Sequence, residues 1–168
     1  MKLATTRFGE VDVKESEWIE IKGSILGFEQ LRRFVLLIND EDTPLCWLQS
    51  LEDPALAFVV INPLVIKPDY KPFVFENDLD FLGIKKRDEA ILLSIVTIRS
   101  NPFRITANLK APLLINAASR TANQVILEDD DYQIQYELLD HKTDLYSLSD
   151  RQEEISGLRK IASNVSAI

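Results

Sequence analysis

Glu89-Ala90-Ile91-Leu92-Leu93-Ser94-Ile95-Val96-Thr97-Ile98-Arg99 contains the longest clean apolar run in the chain, and its reading decides the fold. Ser94 and Thr97 interrupt the run, and Glu89 and Arg99 bound it. It falls far short of the ~20 apolar residues that a membrane-spanning helix needs, and its length suits a strand. Apolar residues occupy both parities, which predicts a central strand covered on both faces by other strands or by helices.

Phe34 to Ile38 and Ala57 to Ile61 read the same way. Elsewhere the pattern alternates, predicting strands with one solvated face: Val11 and Val13 between charges, Ile19 and Ile21 beside Glu20 and Lys22, and Ile134, Tyr136 and Leu138 among Gln133, Gln135 and Glu137. Turn signals recur about every ten residues, at Gly23 and Gly27, Asp40 to Pro44, Asp53-Pro54, Asn62-Pro63, Pro68-Asp69, Asn101-Pro102 and Glu128 to Asp131. The prediction is a mainly β, antiparallel barrel-like single domain over residues 1–139. Short helical turns are expected at Glu29 to Arg33 and at Glu76 to Leu82, the second closing an open barrel end. Residues 140–168 form a C-terminal extension, with Ser149 and Gln152 spaced as a capping box and Ile155, Leu158, Ile161 and Val165 as one helical stripe.

Composition narrows the chemistry. At 168 residues, with 46% hydrophobic and 27% charged residues, the chain suits one globular fold without staples. The net charge is −8, and 22 of the 27 acids fall in residues 1–139 beside 15 of the 19 bases. Such a surface repels polyphosphate, so no direct nucleic-acid partner is expected, whereas a basic protein is attracted. Cys46 is the single cysteine and is expected to be a small buried hydrophobe; with one histidine, His141, neither a disulfide nor a multi-histidine metal site can form within one chain. The beginning Met1-Lys2-Leu3-Ala4-Thr5 lacks the apolar core of a secretion signal, which together with the cysteine count predicts a cytoplasmic protein and no membrane partner.

The glycines match neither a dinucleotide fingerprint nor a phosphate loop. Glu128-Asp129-Asp130-Asp131 and Asn39-Asp40-Glu41-Asp42 are acid-rich, and both read most simply as solvated turns. No enzyme activity, cofactor, metal or small-molecule substrate is expected. Polar residues inside strand-like segments stand out instead: Gln49, Asn108, Asn116 and Gln124. They suit two roles that can coexist, satisfying backbone groups at bulges and sheet edges, or contacting a partner.

Gly27-Phe28-Glu29, Trp47-Leu48-Gln49-Ser50, Ala57-Phe58, Asp69-Tyr70, Thr106-Ala107-Asn108-Leu109-Lys110-Ala111-Pro112, Ile115-Asn116 and Gln124-Val125-Ile126-Leu127 with Tyr132 together resemble the bacterial flagellar assembly factor FliW family over residues 5–138. Asn62 departs from an acidic residue expected before Pro63, and the tail from Asp140 lies beyond the resemblance. The resemblance implies a noncatalytic cytoplasmic factor with two competing protein partners, flagellin before its export and CsrA, a basic repressor of flagellin translation. On that reading, solvent-facing residues near the motif turns are the expected partner contacts: Gln49, Asp53, Asp69, Tyr70, Asn108, Pro112, Asn116 and Gln124. Trp47, Phe58 and Leu109 are assigned to the core. Two rival readings remain, a small-molecule carrier with an apolar barrel cavity, and an enzyme using carboxylates alone.

Overall fold

Pairs of strands whose apolar residues point both ways lie at the centre of the molecule. A computed structural model describes residues 1–38 and 43–138. Its strands are β1 Lys2–Thr5, β2 Gly9–Asp12, β3 Trp18–Ile21, β4 Arg33–Leu37, β5 Leu45–Ser50, β6 Ala57–Ile61, β7 Ala90–Ser100, β8 Phe103–Ala107, β9 Leu113–Asn116, β10 Thr121–Gln124 and β11 Tyr136–Glu137. Strands β3 to β7 follow one another as antiparallel neighbours, β7 continues to β9, and β9 to β10. A parallel pairing of Thr121 with Glu20 and Ala122 with Ile21 then joins β10 to β3 and closes the ring. The expected antiparallel barrel is therefore present with one parallel seam.

The two-sided apolar runs follow from two layers of cover. Phe34 and Leu36 of β4 point into the ring with Ile19, Ile21, Leu48 and Leu93. Val35 and Leu37 point outward, beneath Leu3, Val11 and Val13 of the β1–β2 hairpin. On β7, Leu93 faces the interior while Val96 joins an outer cluster with Ile61, Val65 and Ile105. Complete burial of each of these side chains contributes about 2 kcal/mol. Cys46 is buried in the interior cluster, as its neighbours predict.

Helices are short. Asn62 caps α1, Pro63–Ile66, its side-chain oxygen accepting from the Leu64 amide at 3.0 Å, with Pro63 at the first helical position. The departure at Asn62 thus supplies a helix cap. The second helix, α2, spans Glu76–Phe81 close to its predicted range. Leu79 and Leu82 enter an outer cluster with Leu109, Leu114 and Val125, while Phe81 is 49% exposed. Two expectations fail. Glu29 to Arg33 forms turns that lead into β4, because Arg33 already pairs with Glu20. The alternation from Gln133 to Leu138 yields only the two-residue β11, with Ile134 in a turn and 65% exposed. The predicted tail helix, His141 and the loop Asn39 to Asp42 lie outside the described residues.

Candidate partner-binding face

β8 and β9 form, in effect, one long strand along β7, broken by an insertion. Val96 faces Ala107 and Leu93 faces Leu113, so three steps along β7 correspond to six along its partner. The surplus is looped out at Asn108 to Pro112, and its backbone groups find partners from several directions. The Asn108 side-chain oxygen accepts from the Lys110 and Ala111 amides at 3.1 and 2.9 Å. Tyr70 donates its hydroxyl to the Leu109 carbonyl at 2.8 Å, and the Val125 and Leu127 amides donate to the Pro112 and Lys110 carbonyls. The Gln124 amide nitrogen donates to the Ala111 carbonyl at 3.0 Å.

The other polar motif residues also serve backbone. Gln49 donates to the Ser50 and Leu56 carbonyls at 3.0 and 2.9 Å, and Ser50 accepts from the Glu52 and Asp53 amides. Asp53 accepts from the Ala55 amide, completing the turn between β5 and β6. Asn116 donates to the Leu82 carbonyl at 2.9 Å and accepts from the Ala118 and Ser119 amides.

Burial corrects part of the expected solvent-facing set. Gln49 is 0% exposed, and Tyr70, Pro112 and Asn116 are buried as well, because the backbone groups they serve, or the bulge they belong to, lie beneath the surface. Asp53 and Asp69 are exposed, and Asn108 and Gln124 are half-buried. Asn108 and Gln124 line one groove, and Gln49 meets Asp53 at the turn after β5, its amide nitrogen donating to the Asp53 carbonyl at 3.3 Å. Leu109 is core as expected, whereas Trp47 and Phe58 are partly buried at the margins of their clusters.

That groove has a volume of ≈ 260 Å³. Leu26, Phe28 and Phe58 line it together with Ile95, Thr97 and Arg99 of β7 and with Ile134 and Gln135. Ile134 and Gln135 also bound a second depression of ≈ 530 Å³ beside Lys110, Asp130 and Tyr132. The wall from Gly23 to Phe28 is held in place by polar contacts. Asn123 accepts from the Ser24 amide at 3.1 Å, Gln124 accepts from the Leu26 amide at 2.9 Å, and Arg32 donates to the Gly23 carbonyl. Gly27 has φ +83°, a left-handed conformation that suits glycine, and its amide donates to Glu29 at 2.9 Å. That bond, followed by one from its own amide, holds the Glu29 carboxyl below the ordinary carboxylate range. Leu26 is left 56% exposed at the rim.

Sequence reasoning passed over Leu26, Arg99 and Ile134. A signal was present in Gly23-Ser24-Ile25-Leu26-Gly27, where two adjacent aliphatic residues sit inside a glycine-bounded turn. Among the described residues, no three His, Cys, Asp or Glu side chains gather as a metal site, and no helix is long and apolar enough to cross a membrane. Asp69, on the surface, pairs with Lys67 at 2.9 Å, which holds its carboxyl below the ordinary value.

Known proteins are similar to this chain over most of its length. A flagellar assembly factor FliW from Syntrophus aciditrophicus is 45% identical over 142 residues, covering 84% of this chain and 90% of its own. The one from Bdellovibrio bacteriovorus is 42% identical over 134 residues, covering 80% and 77%. A solved structure described as the flagellar assembly factor FliW superposes with a TM-score of 0.76 at 35% identity, covering 85% of this chain and 100% of its own. The model of the FliW protein family matches residues 2–138, and with these relatives it shows that the chain belongs to the FliW family.

Proposed function

We propose that this chain is a noncatalytic flagellar assembly factor of the cytoplasm that binds flagellin before export and antagonises CsrA, so that flagellin synthesis follows secretion. The relatives' name supplies the process, and the groove supplies the means. The observation that carries the reading is a pre-formed apolar trough whose rim residues Leu26 and Ile134 remain exposed while the wall behind Leu26 is tied to the barrel by Asn123 and Gln124. Rigid apolar rims of this kind suit a protein partner, since ordering cost is largely removed before contact.

The net charge of −8 favours CsrA, a basic partner, and adds a salt-dependent component to its association. Asp53, Asp69, Asn108 and Gln124 are the proposed polar contacts among the residues named from sequence. Calorimetric titration of the purified protein against flagellin and against CsrA at near-physiological salt tests the proposal. The expected result is binding of each and mutual exclusion when both are present. Indifference to both overturns it.

The carrier reading depends on room inside the barrel. Phe34, Leu36, Leu48, Leu93 and Leu113 occupy that interior as fully buried side chains, which counts against it.

A further inference from the structure

β6 and β7 separate at the groove. Their pairing runs from Ile61 opposite Ser94 to Val59 opposite Val96 and goes no further, although β7 continues to Ser100. On its other side β7 stays paired with β8 as far as Ser100 opposite Phe103. The Asn108 amide donates to the Ile95 carbonyl at 2.9 Å, so odd-numbered residues of β7 direct their backbone groups toward β8. By the alternation of an antiparallel ladder, Ile98 and Ser100 direct theirs to the opposite edge, which has no strand neighbour among the described residues.

Phe58, the next residue of β6, and Thr97 and Arg99 of β7 all line the groove. The space between the separated strands is thus bordered by a row of backbone groups with no strand partner among the described residues and by a set of apolar side chains. Arg99 is the charged residue of that lining, and it has no ion-pair partner among the described residues. Opposite it across the hairpin stands Arg104, which is already paired with Glu137. In a chain of net charge −8, this is a local cationic site beside an apolar trough.

We propose that the edge of β7 from Thr97 to Ser100 is a strand-addition site. It takes an extended partner segment with apolar residues at alternate positions and a carboxylate that reaches Arg99. The segment pairs with the Ile98 and Ser100 backbone, and one of its apolar side chains packs against the Phe28–Phe58 pair, whose rings meet edge-on with centroids 4.9 Å apart. The inference rests on the flagellin-binding reading and assigns it a binding mode.

Residue-resolved amide hydrogen exchange of the full chain, free and saturated with purified flagellin, tests the pairing. Titration of Arg99→Glu and Arg99→Lys tests the charge. The expected results are slowing of Ile98 and Ser100 exchange by about tenfold or more, and affinity lost about tenfold in Arg99→Glu but largely kept in Arg99→Lys. Unchanged exchange at both amides, or an Arg99→Glu variant that binds flagellin as tightly as the parent, overturns the site while leaving flagellin binding intact. Failure of the unaltered protein to bind flagellin overturns the parent reading, and this inference with it.

Discussion

The Tyr70 hydroxyl donates to the Leu109 carbonyl at 2.8 Å, joining the segment after α1 to the bulge between β8 and β9. Tyr132 packs edge-on against Tyr70, ring centroids 4.7 Å apart, and accepts from the Lys71 amide. Tyr70 is therefore a brace within the fold, although its place in the motif series suggested a contact.

Replacing Tyr70 by Phe leaves the buried Leu109 carbonyl without this donor and costs about 1–2 kcal/mol of stability. Flagellin affinity is expected to stay unchanged, because the ring is retained and the hydroxyl never reaches solvent. Burial, and secondarily the Tyr132 phenol, raise the Tyr70 pKa, so the folded state keeps a proton that the unfolded chain releases near pH ~10. The contribution is complete below that pH and is lost as pH rises beyond it. Urea melts at about pH 8 and about pH 11 should show a shallower alkaline loss in Tyr70→Phe than in the parent.

Gly23 and Asn123 form a second coupled pair. A Cβ on Gly23 would stand 1.9 Å from the Asn123 side-chain oxygen, the atom that accepts from the Ser24 amide. Gly23→Ala is expected to displace Asn123, release that amide and cost about 1–2 kcal/mol. In an Asn123→Ala background the obstruction is gone, so the same substitution should cost much less. Denaturation of the four proteins of this cycle measures the difference, and equal costs in both backgrounds would remove the steric account.

Glu52 ties the start of β4 to the turn after β5. Its carboxylate accepts from the Arg32 and Arg33 amides at 2.6 and 3.1 Å and pairs with the Arg33 guanidinium at 3.3 Å. Burial pushes its pKa up, but these hydrogen bonds and the Arg33 charge outweigh burial and hold the carboxyl below its ordinary value. The stabilisation is complete above the unfolded carboxylate pKa of ~4.3 and is lost as pH falls through the lower folded value. Glu52→Gln should cost about 1 kcal/mol at neutral pH and flatten the acid limb of a stability-pH curve, a modest figure for a half-exposed site.

Periodicity revealed much of the barrel because its cause is local. Phe34 to Leu37 and Ile91 to Val96 must be covered on both sides, and the ring interior with its outer clusters provides that cover. The parallel seam of β10 with β3 was not legible, since it depends on ring closure between segments about a hundred residues apart. Gln49 and Asn116 stood out as polar residues in strand-like segments, and Tyr70 as part of a motif, but none of the three was legible as buried. Their burial follows from a bulge and turns whose carbonyls and amides become neighbours only in the folded chain. Leu26 and Ile134 were not legible as contact residues for the converse reason: an aliphatic residue in a turn signals a contact surface only once the walls around it are known.

The groove makes separable demands on its rim and its support. Leu26 is 56% exposed, so Leu26→Asp should leave stability within about 0.5 kcal/mol while placing a carboxylate where an apolar contact is required. Gln124 supports the same wall from behind, joining the Leu26 amide to the Ala111 carbonyl. Gln124→Ala should therefore lower stability by about 1–2 kcal/mol and also weaken flagellin binding, because the wall must now be ordered on contact. Paired melts and titrations distinguish the two effects. If Leu26→Asp bound flagellin and CsrA as tightly as the parent, neither partner would be using this face, and the exposed aromatic pair Phe73 and Phe75, ring centroids 5.0 Å apart, would become the next surface to test.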